Sequence, residues 1–346
     1  MGLINITDAD LKKSATTYRR DLLMMPVIAA ERTLRHMTGR PGVAGRETIG
    51  ELSGDIELGP YDPKRVDEDG VNITPRTLET FLGSVIKRFD VNEAAKTVYG
   101  ELFAQGQQLT TAYLSMQVLN FLAGKLGRGL NMSIWSAVRN DKGSKTKDLF
   151  DGFDTITANE VAAGAIVAEK GNYLSVDAID NTNAVDTLKT IFESASDELQ
   201  ETPTKLFIPR GVYTAYVKDY QSTVGSVPYN KEYKKTFLEG SDDLCELVPL
   251  TSKKGSKYLH LTTKGNMLYG YGAGLAQDNI AIEKHHELLL SFVATMYFGT
   301  QFESISSERL MVAEVKEAGT DTSGGDSKEP GTGGAAGGED NDSETP

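Results

Sequence analysis

The sequence predicts an α+β protein made of an extended arm and ribbon, one long buried helix, an α/β block and a β-rich end. Three observations predict this. Residues 39–75 are punctuated by Gly and Pro and hold only short alternating pieces. Residues 110–135 run without a breaking proline and are apolar on most sides. From residue 244 onward the chain reads as a succession of strands.

Composition supports a real core and excludes several classes of function. The 346 residues are 39% hydrophobic and 25% charged, enough for two domains or one large domain with extensions. There are 36 Lys and Arg against 49 Asp and Glu, a net charge of −13, which argues against wrapping nucleic acid with a basic surface. The single cysteine, Cys245, excludes an internal disulfide and a CxxC metal site. No apolar run reaches the roughly 18 residues of a membrane-spanning helix. The charge is uneven. Residues 317–346 hold eight acidic residues, eight Gly and one Lys, with no Val, Ile, Leu, Met or aromatic residue. Such a tail has nothing to bury and is expected to be disordered. Residues 12–46 hold eight Lys/Arg and two acids, whereas residues 47–70 hold eight acids and two bases.

The elements follow in order. Residues 18–30, YRRDLLMMPVIAA, imitate an export signal, but Asp8, Asp10 and Asp21 spoil a basic leader and Pro26 interrupts the apolar run. An amphipathic helix entering the fold is the preferred reading, and the protein is expected to stay in the cytoplasm where it is made. Glu51-Leu52 and Asp55-Ile56-Glu57-Leu58 suit a two-stranded ribbon too poor in apolar residues to stand alone. In residues 76–90, Phe81, Val85 and Phe89 share one parity, which predicts a strand. Ala95, Val98 and Leu102 share a helical face beyond it. Thr110 opens the long helix, in which Leu114, Val118, Phe121 and Leu122 form one stripe and Met116, Leu119 and Ala123 another. A helix apolar on most sides is expected to be buried on most sides, Phe121 included. Phe150 and Phe153 anchor DLFDGFDTI. Asn183 opens a helix over 183–200, KLFIP is a buried strand, and RGVYTAYVKDYQ is a second helix. Strands then run through CELVPL, KYLHLT, MLYGY, NIAIEKHH, ELLLSFVATMYF and RLMVAEV.

Candidate chemistry is sparse. Gly270, Gly272 and Gly274 form a GxGxG string after a strand, but a strand-like segment follows where a dinucleotide site needs a helix, so a glycine loop between strands is expected. His285 and His286 are adjacent in a strand and point to opposite faces, so they do not share a metal. His36 and His260 give no ligand spacing. Asp242 and Asp243 read as a solvated turn, and Cys245 as a buried, inert thiol. GxSxG, HExxH and GKS/T strings are absent. No catalytic residue, metal site or cofactor is assigned, and the chain is read as a non-enzyme.

Several stretches resemble a known family: RRDLLMMPVIAAERTLRHMTGRPGV, ETIGELSGDIELGPYDPKR, ITPRTLETFLGSVIKRF, LNMSIWSAVRNDKG, DLFDGFDTI, VPYNKEYKKTFLEG and FVATMYFGTQFESISSERLMV. They resemble major capsid proteins of tailed bacteriophages, with the Hong Kong 97-like fold, and most of all coat proteins of Bacteroidetes phages and prophages. The resemblance implies an N-terminal arm over 1–39 and an extended ribbon, the E-loop, over 40–90. It implies a peripheral domain with a spine helix over 91–180 and an axial domain over 181–245. Residues 246–316 would supply the remaining axial strands and the closing strands of the peripheral domain, followed by the tail over 317–346. The implied function is self-assembly through pentamers and hexamers into an icosahedral virion shell around double-stranded DNA, formed in the bacterial cytoplasm. The implied partners are copies of itself, a separate scaffolding protein, a portal and packaged DNA, with no membrane. A separate scaffold is expected because the chain has no room for a scaffold-like domain before its arm.

The physics of this reading is assembly. A head-to-tail interface closes into rings when its rotation closes, and many weak contacts per subunit give avidity. The charge asymmetry supplies candidate contacts: Lys12, Lys13, Arg19, Arg20, Arg32, Arg35, Arg40 and Arg46 of one subunit would meet Glu51, Asp55, Glu57 and nearby acids of another. Alternatively, the arginines face packaged DNA. Two other functions stay open from sequence: an encapsulin-type nanocompartment shell, and a soluble cytosolic enzyme with unrecognised chemistry.

Overall fold

A computed structural model describes residues 30–53, 72–90, 111–225, 236–272, 280–286 and 289–316. The expected helix across 18–30, the helix around Ala95–Leu102, the ribbon tip and the acidic tail lie outside the described residues.

A single helical turn, α1 (Glu31–Leu34), leads into β1 (Thr38–Pro41). β2 (Arg46–Ser53) and β3 (Asn72–Glu79) follow, and then β4 (Phe81–Asp90). The long helix α2 spans Thr111–Ser136 and α3 spans Phe153–Ala162. β5 (Tyr173–Val176) precedes the helices α4 (Ala184–Glu193) and α5 (Asp197–Glu201). Next come β6 (Thr204–Pro209), α6 (Arg210–Val224), β7 (Thr236–Phe237) and β8 (Cys245–Leu250). The chain closes with β9 (Tyr258–Thr262), β10 (Met267–Tyr271), β11 (Ile280–His286), β12 (Leu289–Phe302) and β13 (Leu310–Val315).

These strands form three sheets. β2 and β3 make a two-stranded antiparallel ribbon, from Arg46 opposite Glu79 to Ser53 opposite Asn72. The second sheet is organised by the fourteen-residue β12. β10 and β11 pair with successive parts of β12, β4 also pairs with it antiparallel, and β1 joins β10 in parallel. The third sheet has six strands in the order β5-β13-β9-β6-β8-β7.

Two apolar cores lie on opposite faces of the six-stranded sheet. One gathers Trp135, Phe150, Phe153, Phe207, Phe298 and Phe302 between α2, α3 and β12. The other packs α4, α5 and α6 on the six-stranded sheet through Leu188, Ile191, Leu199, Tyr216, Leu206 and Leu259. The expected 183–200 helix is two helices: α4 ends at Glu193, and Ser196 restarts the chain by accepting a hydrogen bond from Leu199 N. A serine that satisfies an orphan amide makes a second start cheaper than a continuous helix. α6 stops at Gly225, whose φ of 74° is the left-handed cap that glycine adopts without a Cβ penalty.

The long helix corrects one expectation. Ala123, Leu130, Ile134, Trp135 and Ala137 are fully buried, but Phe121 is 60% exposed and Met132 is 52% exposed. Phe121, Lys125, Arg128, Met132 and Ser136 recur every three or four residues and form one outward stripe. Apolar character on a helix face says that the face prefers cover, and the described residues give that face little.

Candidate functional site

The ribbon is held at its root. Leu78 is fully buried with Val43, Ile49 and Leu268. Thr80, between β3 and β4, donates its backbone N–H to Gly45 O at 2.7 Å. Its hydroxyl donates to Val43 O at 2.9 Å and accepts from Gly45 N at 3.0 Å. Arg76 reaches off the ribbon onto the body, with Nη2 2.6 Å from Glu160 Oε1 and 3.1 Å from Gln301 Oε1. Its Nε donates to Phe302 O at 3.2 Å.

The seat under this root is made of glycines. Gly270 and Gly299 are partners across β10 and β12. A Cβ on Gly299 would lie 1.9 Å from Glu79 O, and one on Gly270 would lie 2.6 Å from the Thr80 methyl. Only a residue without a side chain lets the ribbon cross the sheet this closely. Gly270 thus lies in β10, the MLYGY strand the sequence predicts, and its missing side chain makes room for the ribbon. The described part of the ribbon has no third strand beside it, so its backbone groups form open edges.

The predicted contact residues are dispersed. Arg19, Arg20, Asp55 and Glu57 lie outside the described residues, and Glu51 sits on β2 opposite Thr74. Arg32 and Arg35 are exposed at α1, and Arg35 Nε donates to His36 Nε2 at 3.0 Å. Two arm arginines expected to meet another subunit have partners in their own chain. Arg46 pairs with Glu79 at 2.5 Å across the ribbon root, and Arg40 lies 3.8 Å from Glu303. Strand pairing places Arg46 opposite Glu79, so this ion pair forms without a second subunit.

A second cluster is buried, not displayed. Lys253 is 1% exposed; its amine lies 2.8 Å from Asp154 Oδ1, 3.0 Å from His260 Nδ1 and 3.8 Å from the centroid of Trp135. An ammonium only donates, so His260 Nδ1 accepts, and His260 Nε2–H donates to Thr157 Oγ1 at 2.8 Å. Burial pushes the Lys253 amine down to about 8 against the pull of Asp154, and pushes His260 well below 6.5. Burial also pushes His36 down to about 4 and the Cys245 thiol up to about 12, an inert thiol as expected. Sequence reading missed Lys253, because TSKKG looks like a solvated turn; no local signal marks which lysine turns inward. Among the described residues no His/Cys/Asp/Glu group has the geometry of a metal site. No described helix is long and apolar enough to cross a membrane.

A ribbon cantilevered from a long-stranded sheet, a long helix alongside, and a separate helix-covered sheet define a mixed α+β fold of the type found in Hong Kong 97-like capsid shells. Solved structures share it. The chain superposes on the "Satellite phage P4 procapsid including size determination (Sid) protein" with a TM-score of 0.54 and 12% identity, covering 87% of this chain and 100% of that one. It superposes on the "Capsid of native GTA particle" with a TM-score of 0.54 and 12% identity over 84% and 90% of the two chains. For the "Cyanophage A-1(L) capsid" the values are 0.51 and 12% over 84% and 92%. No family model and no curated protein matches the chain.

Proposed function

We propose that this chain is the major capsid protein of a tailed bacteriophage, closing through pentamers and hexamers into an icosahedral shell around double-stranded DNA. The observation that carries the reading is a capsid-type fold spanning most of the chain, with a rigidly rooted ribbon that has open edges. In this reading β2 and β3 are the E-loop, α2 is the spine helix, and the six-stranded sheet with α4 and α6 is the axial domain. The acidic ribbon of one subunit meets the basic arm of a neighbour and, beside it, the exposed stripe of that neighbour's α2, where Phe121 and Met132 offer apolar area and Lys125 and Arg128 offer opposite charge. Each exposed ion pair contributes only about 0–1 kcal/mol, so register comes from the repeated set and not from one pair. A separate scaffolding protein, a portal and DNA on the inner face complete the partners, and the sequence resembles coat proteins of Bacteroidetes phages and prophages.

The test is expression with and without the neighbouring phage genes, followed by size-exclusion chromatography and electron microscopy. Closed shells that fill with DNA when packaging genes are present are the expected result. Shells that instead enclose a protein cargo would identify a nanocompartment, and stable small oligomers under every condition would overturn the assembly reading.

A further inference from the structure

The Lys253 cluster has a chemistry that assembly does not use. Its amine is fully enclosed, faces a carboxylate and a neutral imidazole, and sits on the face of Trp135. Phe302 stacks on His260 with centroids 5.8 Å apart, and Phe153 lies 5.6 Å from Trp135, so the walls are aromatic. We propose that Lys253 and Asp154 are joined by an intramolecular isopeptide bond, formed autocatalytically inside the folded subunit with His260 as the base.

The geometry supplies each requirement. A contact of 2.8 Å from Nζ to Oδ1 puts the carboxyl carbon at most one C–O bond further away, close to the roughly 3–3.5 Å of a near-attack arrangement. The reactive forms are the neutral amine and the neutral acid, which the ion pair becomes when one proton passes from Nζ to Oδ1 across the 2.8 Å contact; burial, which penalises paired charges, lowers the cost of that transfer. His260 Nδ1 is unprotonated because its other nitrogen holds the hydrogen donated to Thr157. The step balances as a condensation. The Lys253 nitrogen lone pair attacks Asp154 Cγ, and His260 Nδ1 takes one Nζ proton. That proton passes to the departing Asp154 hydroxyl, the C–O bond breaks, and one water leaves as the amide forms. Asp154 keeps 14% of its side-chain surface exposed, which gives the water an exit. No oxidant or further reactant is needed. The Trp135 ring that the amine faces also carries a buried Nε1–H without a hydrogen-bond partner among the described residues. The bond would tie the first turn of α3 to the turn between β8 and β9, positions 99 residues apart.

The experiment is intact-mass measurement of the purified full chain under denaturing conditions, with a tryptic map. The expected mass is lower than the sequence mass by one water, about 18 Da. The map is expected to show residues 148–170 joined to residues 236–254, with no cleavage after Lys253. Lys253→Met restores the full mass expected for its sequence, and His260→Phe slows the loss of water in freshly made protein. A wild-type chain at full mass, with trypsin cutting after Lys253, would overturn the proposal and leave a buried ion pair. That result would not touch the capsid reading, which is tested by shells and not by mass.

Discussion

Two substitutions on α2 separate the face that holds the subunit together from the face that meets something else. Ile134 is fully buried against the Trp135 and Phe153 core. Ile134→Asp places a charge there with no partner, a cost on the order of 5 kcal/mol or more, comparable with the whole stability of a domain. Phe121 is 60% exposed, so about two-fifths of its side chain is covered, part of it by Lys125, whose amine is 5.4 Å from the ring centroid. Roughly 80 Å² of covered area at about 25 cal/mol per Å² is about 2 kcal/mol at most. Phe121→Asp is therefore expected to lower the melting temperature of the unassembled subunit by about 3 °C at most and leave it folded. It is also expected to stop shell formation. Circular dichroism melts report the first effect, and size-exclusion chromatography with microscopy the second. Ile134→Asp is expected to give no folded subunit. An unfolded or insoluble Phe121→Asp subunit would refute the reasoning, because it would mean that this face is covered within the chain. Normal shells from Phe121→Asp would refute the proposed contact on that stripe.

Three further outcomes follow from other parts of the molecule. Gly299→Ala must displace the Glu79 carbonyl from a 1.9 Å clash, so the ribbon is expected to unseat, with faster proteolysis between residues 46 and 79 while the helix-covered sheet keeps its protection from hydrogen exchange. His36 is held neutral by burial, with a folded pKa of about 4 against 6.5. The unfolded chain takes up that proton first, so stability is expected to fall as pH drops from about 6.5 toward 4, by on the order of 3 kcal/mol, and acid urea titrations of His36→Gln should show a smaller loss. Reversing Glu51, Asp55 and Glu57 to Lys is expected to block assembly, and adding Glu at Arg19, Arg20 and Arg32 to restore it partly. Assembly of the unaltered chain should also weaken above about 0.15 M salt, and salt-independent assembly without rescue would favour arginines that face DNA.

Local pattern determined much of this protein by itself. Alternation announced β4, and short apolar runs announced β8, β9, β10 and β12, because a strand with one buried face writes a period of two into its sequence and one buried on both faces writes a continuous apolar run. Thr110 and the unbroken run after it announced α2, and Asn183 and Gly225 sit where α4 and α6 begin and end. Opposite charge on residues 12–46 and 47–70, and the poverty of apolar residues in the ribbon, pointed to a chain that finishes its contacts elsewhere. The tertiary structure decided what depends on neighbours distant in sequence. Phe121 reads as core because its residue type is apolar, and only the position of the rest of the molecule leaves it in the open. Gly270 and Gly299 are 29 positions apart, and each alone looks like a loop or a weak point in a strand; paired across β10 and β12, they become the seat of the ribbon. Lys253 and Lys254 are chemically identical neighbours in one turn. Burial selects the first because Asp154, His260 and Trp135, from three separate elements, converge where its amine ends, and no local pattern encodes that convergence.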